Sequence, residues 1–171
     1  GHVGRFFPAK NHRFILDIFE ELLDRNPQSK LVLVGEGPLK DEIMADAKKR
    51  SLSSQIQFLG GRSDIPQLLM AFDAFILPSN YEGLGIAAIE AQATGLHCLL
   101  SSRVSKEVAL TPEVSFLEID STQPWVDGLV AISTLPSHNI NASGRVQEAG
   151  YDIASCALEL SDFYIKWGME K

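Results

Sequence analysis

The sequence predicts an α/β fold, a parallel sheet with helices on both faces, and two observations carry that prediction. Short, wholly apolar runs such as Leu31 to Val34 and Ala74 to Leu77 have the composition of strands covered on both faces. Between them lie longer segments with helical periodicity, and strands alternating with helices are the pattern of a parallel α/β sheet.

Element by element, Gly1-His2-Val3-Gly4-Arg5 reads as the end of a strand running into a turn. A helix is expected from about Asn11 to Arg25, then the strand Leu31 to Val34 and a turn from Gly35 to Pro38. Leu39 to about Arg50 follows as a helix that keeps Lys40, Asp41, Lys48 and Lys49 outside. Ile56 to Leu59 is the next strand and Pro66 to Ala71 a short helix. Ala74 to Leu77, a helix from Gly85 to Thr94 and a strand from His97 to Leu100 continue the alternation. Leu117 to Ile119 is a weaker strand, Pro124 to Ser133 a helix, and Leu135 to Asn141 a loop. Asp152 to about Lys166 closes the chain as an amphipathic helix.

At 171 residues the chain suits one domain with a substantial core. Its net charge of −7 opposes the phosphate attraction that nucleic-acid binders need, so no nucleic-acid partner is expected. No apolar run approaches the ~18 residues of a membrane span, and no signal peptide is visible. The two cysteines, Cys98 and Cys156, make no disulfide framework, and with the four histidines they show no zinc spacing. A reducing cytoplasm is the expected location.

The most informative segment runs from Leu77 to Ala91, where Glu82 and Glu90 stand eight residues apart. Glu82 falls in a Gly-rich turn after an apolar strand, and Glu90 falls inside the helix that the turn opens. The helix reads Ile86, Ala87, Ala88, Ile89, Ala91, Ala93, so Glu90 is expected on a buried, apolar surface. A buried carboxylate needs a partner, and no basic residue stands one turn away at 86, 87, 93 or 94. Distant protein or a hydroxyl-rich ligand must supply it. The turn offers backbone N–H groups from Gly83, Leu84, Gly85 and Ile86, which with the helix dipole attract phosphate. Leu84 to Glu90 is roughly 9 Å along a helix, a separation that suits a diphosphate on the turn and a ribose on Glu90. Arg5 and Lys10 stand at the carboxyl edge of the sheet, where α/β proteins bind ligands and where two cations can neutralise a diphosphate. The alternative reading is a pair of solvated loop charges.

The Glu82 to Glu90 segment resembles the paired glutamates of retaining glycosyltransferases of the GT-B fold, in their large family 4. The resemblance extends, in order and spacing, to Val3-Gly4-Arg5, Lys10-Asn11, Leu33 through Pro38, Phe58-Leu59-Gly60, Asp73 to Pro78 and Glu90-Ala91 through Gly95. Thr111, Val114 to Leu117, Trp125 and Gly150 to Ile153 look like the exopolysaccharide and capsule subgroup. The resemblance implies a Rossmann-like domain spanning 1–171, the C-terminal, donor-binding half of a GT-B enzyme, with the N-terminal acceptor half absent. It implies a hexosyl transfer from a UDP-, GDP- or ADP-sugar to a saccharide or lipid-linked acceptor. Contact with the inner face of the membrane would be made through the other half alone. Arg5 and Lys10 would hold the diphosphate and stabilise it as it leaves, Gly83 to Ile86 would bind its oxygens, Glu90 the ribose and Glu82 the transferred sugar. Preset cations do the work that a metal does in the other main glycosyltransferase fold, and no Asp-x-Asp metal motif occurs here. No metal or other cofactor is expected.

Phe58, Leu59 and Arg62 correspond to a family segment whose backbone reads the base, although Phe58 is a stronger candidate for the core. Gly35-Glu36-Gly37 invites a dinucleotide reading, but Lys40 replaces the third glycine of that fingerprint. His12 reads as a helix-start residue, Arg103 as a surface charge. His97 and Cys98 depart from the family's pattern after Gly95 and read as packing residues. Aromatic residues on the last helix, Phe163, Tyr164 and Trp167, suit an interface with the other half. Two rival classes keep the same fold. A UDP-sugar epimerase or phosphorylase would retain the phosphate turn, while a non-catalytic binding subunit would lose the charged residues that are all present here.

Overall fold

The computed structural model describes residues 1–169, in the order β1 His2–Val3, α1 His12–Arg25, β2 Leu31–Val34, α2 Lys40–Lys49, β3 Ile56–Gly60, α3 Ile65–Leu69, β4 Ala74–Leu77, α4 Ile86–Ala93, β5 His97–Ser101, β6 Val114–Leu117, α5 Gln123–Ile132, α6 Ala142–Val146 and α7 Ile153–Met169. Three strands pair in parallel as β1-β2-β3 and three as β4-β5-β6. Gly1 joins the two sets, donating to the Ala74 carbonyl at 2.7 Å and accepting from the Ile76 N–H at 2.9 Å. The resulting order, 3-2-1-4-5-6, reverses direction between β1 and β4. That reversal is the topological switch point at which doubly wound α/β sheets bind ligands.

Strand alternation explains why the runs are continuously apolar. Leu33, Ile76 and Leu99 enter one core with Phe6, Ile15, Leu16, Phe19 and Trp125 from the loops and helices on their side. Their neighbours Val34, Phe75, Leu77, Cys98 and Leu100 enter a second core with Ala88, Ile89 and Val108. Period-two side chains thus fill both faces. Trp125 is fully buried and its Nε1 donates to the Glu118 carbonyl at 2.7 Å, so its polar atom is satisfied.

One expectation is corrected. The last strand is Val114–Leu117, not Leu117 to Ile119, because Val114 to Leu117 pair with Cys98 to Ser101 while Ile119 packs on the core beyond the sheet. The segment after Asn141 is helical over Ala142–Val146 and passes through a kinked π turn, Gln147–Tyr151, into α7. Gly150 makes that kink with φ of 86°. Among the described residues, none of α7 belongs to either core, and Phe163, Tyr164 and Trp167 on it are exposed.

Candidate donor-binding site

Two loops at the carboxyl ends of β1 and β4 meet at the switch point. The β1–α1 loop turns through Pro8–Lys10 and reverses at Asn11, whose left-handed φ of 56° starts α1. The β4–α4 loop ends at Gly85, whose left-handed φ of 66° favours glycine, and opens α4 at Ile86. Asn80 stitches the loops together: its N–H donates to the Ala9 carbonyl at 2.7 Å and its Nδ2 to the Pro8 carbonyl at 2.9 Å. Lys10 Nζ and Glu82 Oε2 form an ion pair across the same junction, and Ser79 Oγ donates to that oxygen at 3.2 Å. The predicted cation and the predicted carboxylate are therefore in direct contact, although 72 residues separate them.

Arg5 is exposed at the same edge, its guanidinium 5.3 Å from the centre of the Phe7 ring. Among the described residues, the backbone N–H groups of Gly83, Leu84 and Gly85 donate to no protein acceptor. A Cβ placed on Gly83 would meet nothing within 4 Å, so the turn is open to a ligand. Arg5 and the N–H groups of this turn are the anion-binding groups of the edge that no carboxylate occupies among the described residues, whereas the Lys10 charge is engaged by Glu82.

Glu90 is a correction. It was expected on a buried surface, yet it is exposed, because α4 begins at Ile86 and places Ile86 and Glu90 on its open side. Ala88, Ile89, Ala91 and Gln92 face the core instead. Partial desolvation pushes the Glu90 carboxyl above the usual carboxylate range, and among the described residues it has no hydrogen-bond or ion-pair partner. An unpaired carboxylate one helix turn past the open turn is set to accept hydrogen bonds from hydroxyl groups.

Phe58 packs into the first core, 6.1 Å from Phe6, and Leu59 against the second. Both side chains are half-buried against the cores, which favours a structural role for them. Arg62 is exposed and paired with Asp64 through Nε at 2.8 Å and Nη2 at 2.6 Å. Arg103 is likewise exposed, whereas His97 is half-buried and Cys98 buried within β5.

The Gly35-Glu36-Gly37 turn supports the site from beneath. A Cβ on Gly35 would lie 2.1 Å from the Gly4 carbonyl oxygen, and one on Gly37 would lie 2.4 Å from that of Phe6. Both glycines let the turn press on the backbone that carries Arg5, which Phe6 N–H secures by donating to the Glu36 carbonyl at 2.9 Å. Glu36 bonds Lys40 and the Gly61 N–H, and the Lys40 ammonium holds its carboxyl below the usual range. This buttressing role had no signal in the spacing of the motif.

Two buried histidines form the floor. His2 is fully enclosed, and since the Ile76 carbonyl 2.9 Å away can only accept, Nδ1 carries the proton. Among the described residues its Nε2 has no hydrogen-bond partner, nor has either nitrogen of His12. His12 stacks on Phe6 with ring centres 4.1 Å apart and meets His2 edge-on at 4.9 Å. Burial first, and the Lys10 charge second, lower the His12 pKa to about 4, and burial takes His2 well below its usual value. Both are neutral at pH 7. His12 thus starts α1 as expected, but it lies below the site rather than in it.

No three His, Cys, Asp or Glu side chains come together as a metal-holding group among the described residues. No helix there is long and apolar enough to cross a membrane. A cavity of about 370 Å³ lies at the opposite edge of the sheet, lined by Gly1, Leu31, Phe72, Ala74 and Leu129, and includes none of the site residues.

A parallel sheet ordered 3-2-1-4-5-6, with Arg5, Lys10, Glu82 and Glu90 at the edge of its switch point, defines a Rossmann-like ligand-binding domain. Residues 1–117 match the family model described as glycosyl transferases group 1, and the chain belongs to that family. EpsF of Bacillus subtilis is 44% identical over 108 residues, covering 63% of this chain and 28% of that protein. The UDP-Gal:alpha-D-GlcNAc-diphosphoundecaprenol alpha-1,3-galactosyltransferase of Escherichia coli is 29% identical over 177 residues, covering 99% and 46%. Sucrose-phosphate synthase from Thermosynechococcus elongatus shares the fold with a TM-score of 0.82 at 21% identity, over 99% of this chain and 46% of that one. The chain thus spans less than half the length of these relatives.

Proposed function

We propose that this chain binds the nucleotide-sugar donor in a retaining hexosyltransferase of cell-surface polysaccharide synthesis. The observation that supports this most is the meeting of Lys10 and Glu82 at the switch point, beside an open turn of backbone N–H groups. Arg5 and Lys10 bind the diphosphate, which gains negative charge as the glycosidic bond to phosphate breaks. Cations held against the bound diphosphate stabilise that charge as it develops. Gly83, Leu84, Gly85 and Ile86 hold its oxygens by backbone N–H groups, Glu90 takes the ribose hydroxyls, and Glu82 positions the sugar. Retention is assigned to front-face transfer, with the departing phosphate receiving the acceptor's proton.

The backbone of Phe58 to Arg62 is assigned to the base, and the acceptor, a saccharide or lipid-linked saccharide, to the part of the protein that this chain does not span. The Escherichia coli relative is named for a UDP-sugar donor, which supports testing UDP first. Isothermal titration of UDP, GDP and ADP, each alone and as its glucose conjugate, tests the proposal. Binding of at least one pair at micromolar to millimolar affinity is expected, and binding of none would refute it.

A further inference from the structure

Lys10 and Glu82 have opposite tasks in the reading above, a cation for phosphate and a carboxylate for sugar, yet each is the other's partner. Their side chains are only 17% and 18% exposed, so the pair is screened less than a surface pair and its two charges largely cancel toward an incoming anion. The backbone does not depend on this contact. Asn80 ties the two loops through the Ala9 and Pro8 carbonyls, and Ser79 holds Glu82 independently of Lys10. The ion pair can therefore open by side-chain rotation while both loops stay in place.

We propose that the Lys10–Glu82 pair is a partner-exchange latch, in which a nucleoside diphosphate takes Lys10 from Glu82 and the released carboxylate receives hydroxyl groups of the attached sugar. The latch rests on the donor-site reading. Arg5, stacked by Phe7 at the rim, meets the phosphate first. A bare diphosphate then breaks the ion pair and leaves Glu82 with Ser79 alone, facing a new negative charge. A sugar conjugate breaks the same pair but returns hydroxyl donors to Glu82. The site thereby discriminates donor from spent nucleotide, which favours release of the product after transfer.

Titration calorimetry on the parent chain and on Glu82→Gln, with UDP, GDP and ADP and their glucose conjugates, tests the latch. Glu82→Gln is expected to bind the bare nucleotide about threefold to tenfold more tightly than the parent, as loss of a partly screened pair and of a repelling carboxylate predicts. The advantage of the conjugate over the bare nucleotide is expected to shrink in the same variant. Glu82→Ala carries the same expectation and covers the case in which the amide variant does not fold. Adding Lys10→Met is expected to cost more affinity in the Glu82→Gln background than in the parent. Unchanged or weaker binding of bare nucleotide by the Glu82 variants, with the parent binding normally, would overturn the latch and leave the donor site standing. A parent chain that binds none of the probes would remove the donor site and the latch with it.

Discussion

Mild acid should destabilise this domain through the floor of the site, with His12 as the main reporter. His12 is 2% exposed and stacked on Phe6, and among the described residues neither of its nitrogens has a hydrogen-bond partner, so a proton on it would be a buried, unpaired charge beside Lys10. Its pKa falls from 6.5 in the unfolded chain to about 4 in the fold. Between those values the unfolded chain holds the extra proton and the fold does not. Stability therefore rises with pH through this window and is lost as pH falls from about 6.5 toward 4. Over the whole window the loss from His12 is on the order of 3 kcal/mol, a large part of a typical domain's stability. His2 shifts in the same direction and adds to the loss. Chemical denaturation at half-unit steps from pH 7.5 to 4.5 measures it. His12→Phe keeps a ring against Phe6 and should flatten the slope by up to one proton, about 1.4 kcal/mol per pH unit. The same slope in parent and variant would refute the assignment.

Glu90→Gln should weaken nucleotide binding by roughly tenfold or more, since hydrogen bonds to a charged group contribute about 1.5 to 3 kcal/mol; equal affinity by calorimetry would sink its ribose role. Because its carboxyl is raised above the usual range and hydroxyl donors favour the charged form, nucleotide affinity of the parent should fall as pH drops through that raised value, and Glu90→Gln should lack this component. Nucleotide binding should persist in EDTA, as Arg5 and Lys10 supply the positive charge; abolition by EDTA with restoration by manganese would contradict this. These 171 residues alone should bind donor without transferring its sugar, because they match only 46% of the Escherichia coli relative and the acceptor is proposed to bind outside the matched part. Chromatographic detection of a glycosylated acceptor after incubation with donor and a lipid-linked saccharide pool would overturn that division of labour.

The sheet was legible because its strands are buried on both faces, which leaves runs such as Leu31 to Val34 and Ala74 to Leu77 without polar interruption. Val114 to Ile119 was harder to place: its apolar residues serve the strand up to Leu117 and the core beyond it, and only pairing with β5 decides where one role ends. Ala142–Val146 escaped because five residues containing Ser143 and Gly144 show neither a full apolar turn nor strong propensity. At the site, motif spacing located the glutamates and the cations, since backbone turns and a helix start demand glycines at fixed offsets. It gave Glu90 the wrong exposure, because an apolar helix face cannot be oriented until the first helical residue is known. The stitching by Asn80 and the Lys10–Glu82 contact bridge segments some 70 residues apart, and no local pattern encodes such a meeting.

The central claim is that nucleotide-sugar binds at the switch point, and backbone amide shifts measured by NMR during titration test its location most directly. With UDP, GDP or ADP and their glucose conjugates, the account predicts shifts concentrated at Gly4 to Lys10, Gly83 to Ile86 and Glu90. Shifts confined to the opposite edge of the sheet, around Leu31, Ala74 and Leu129, or no shifts with any probe, would contradict it.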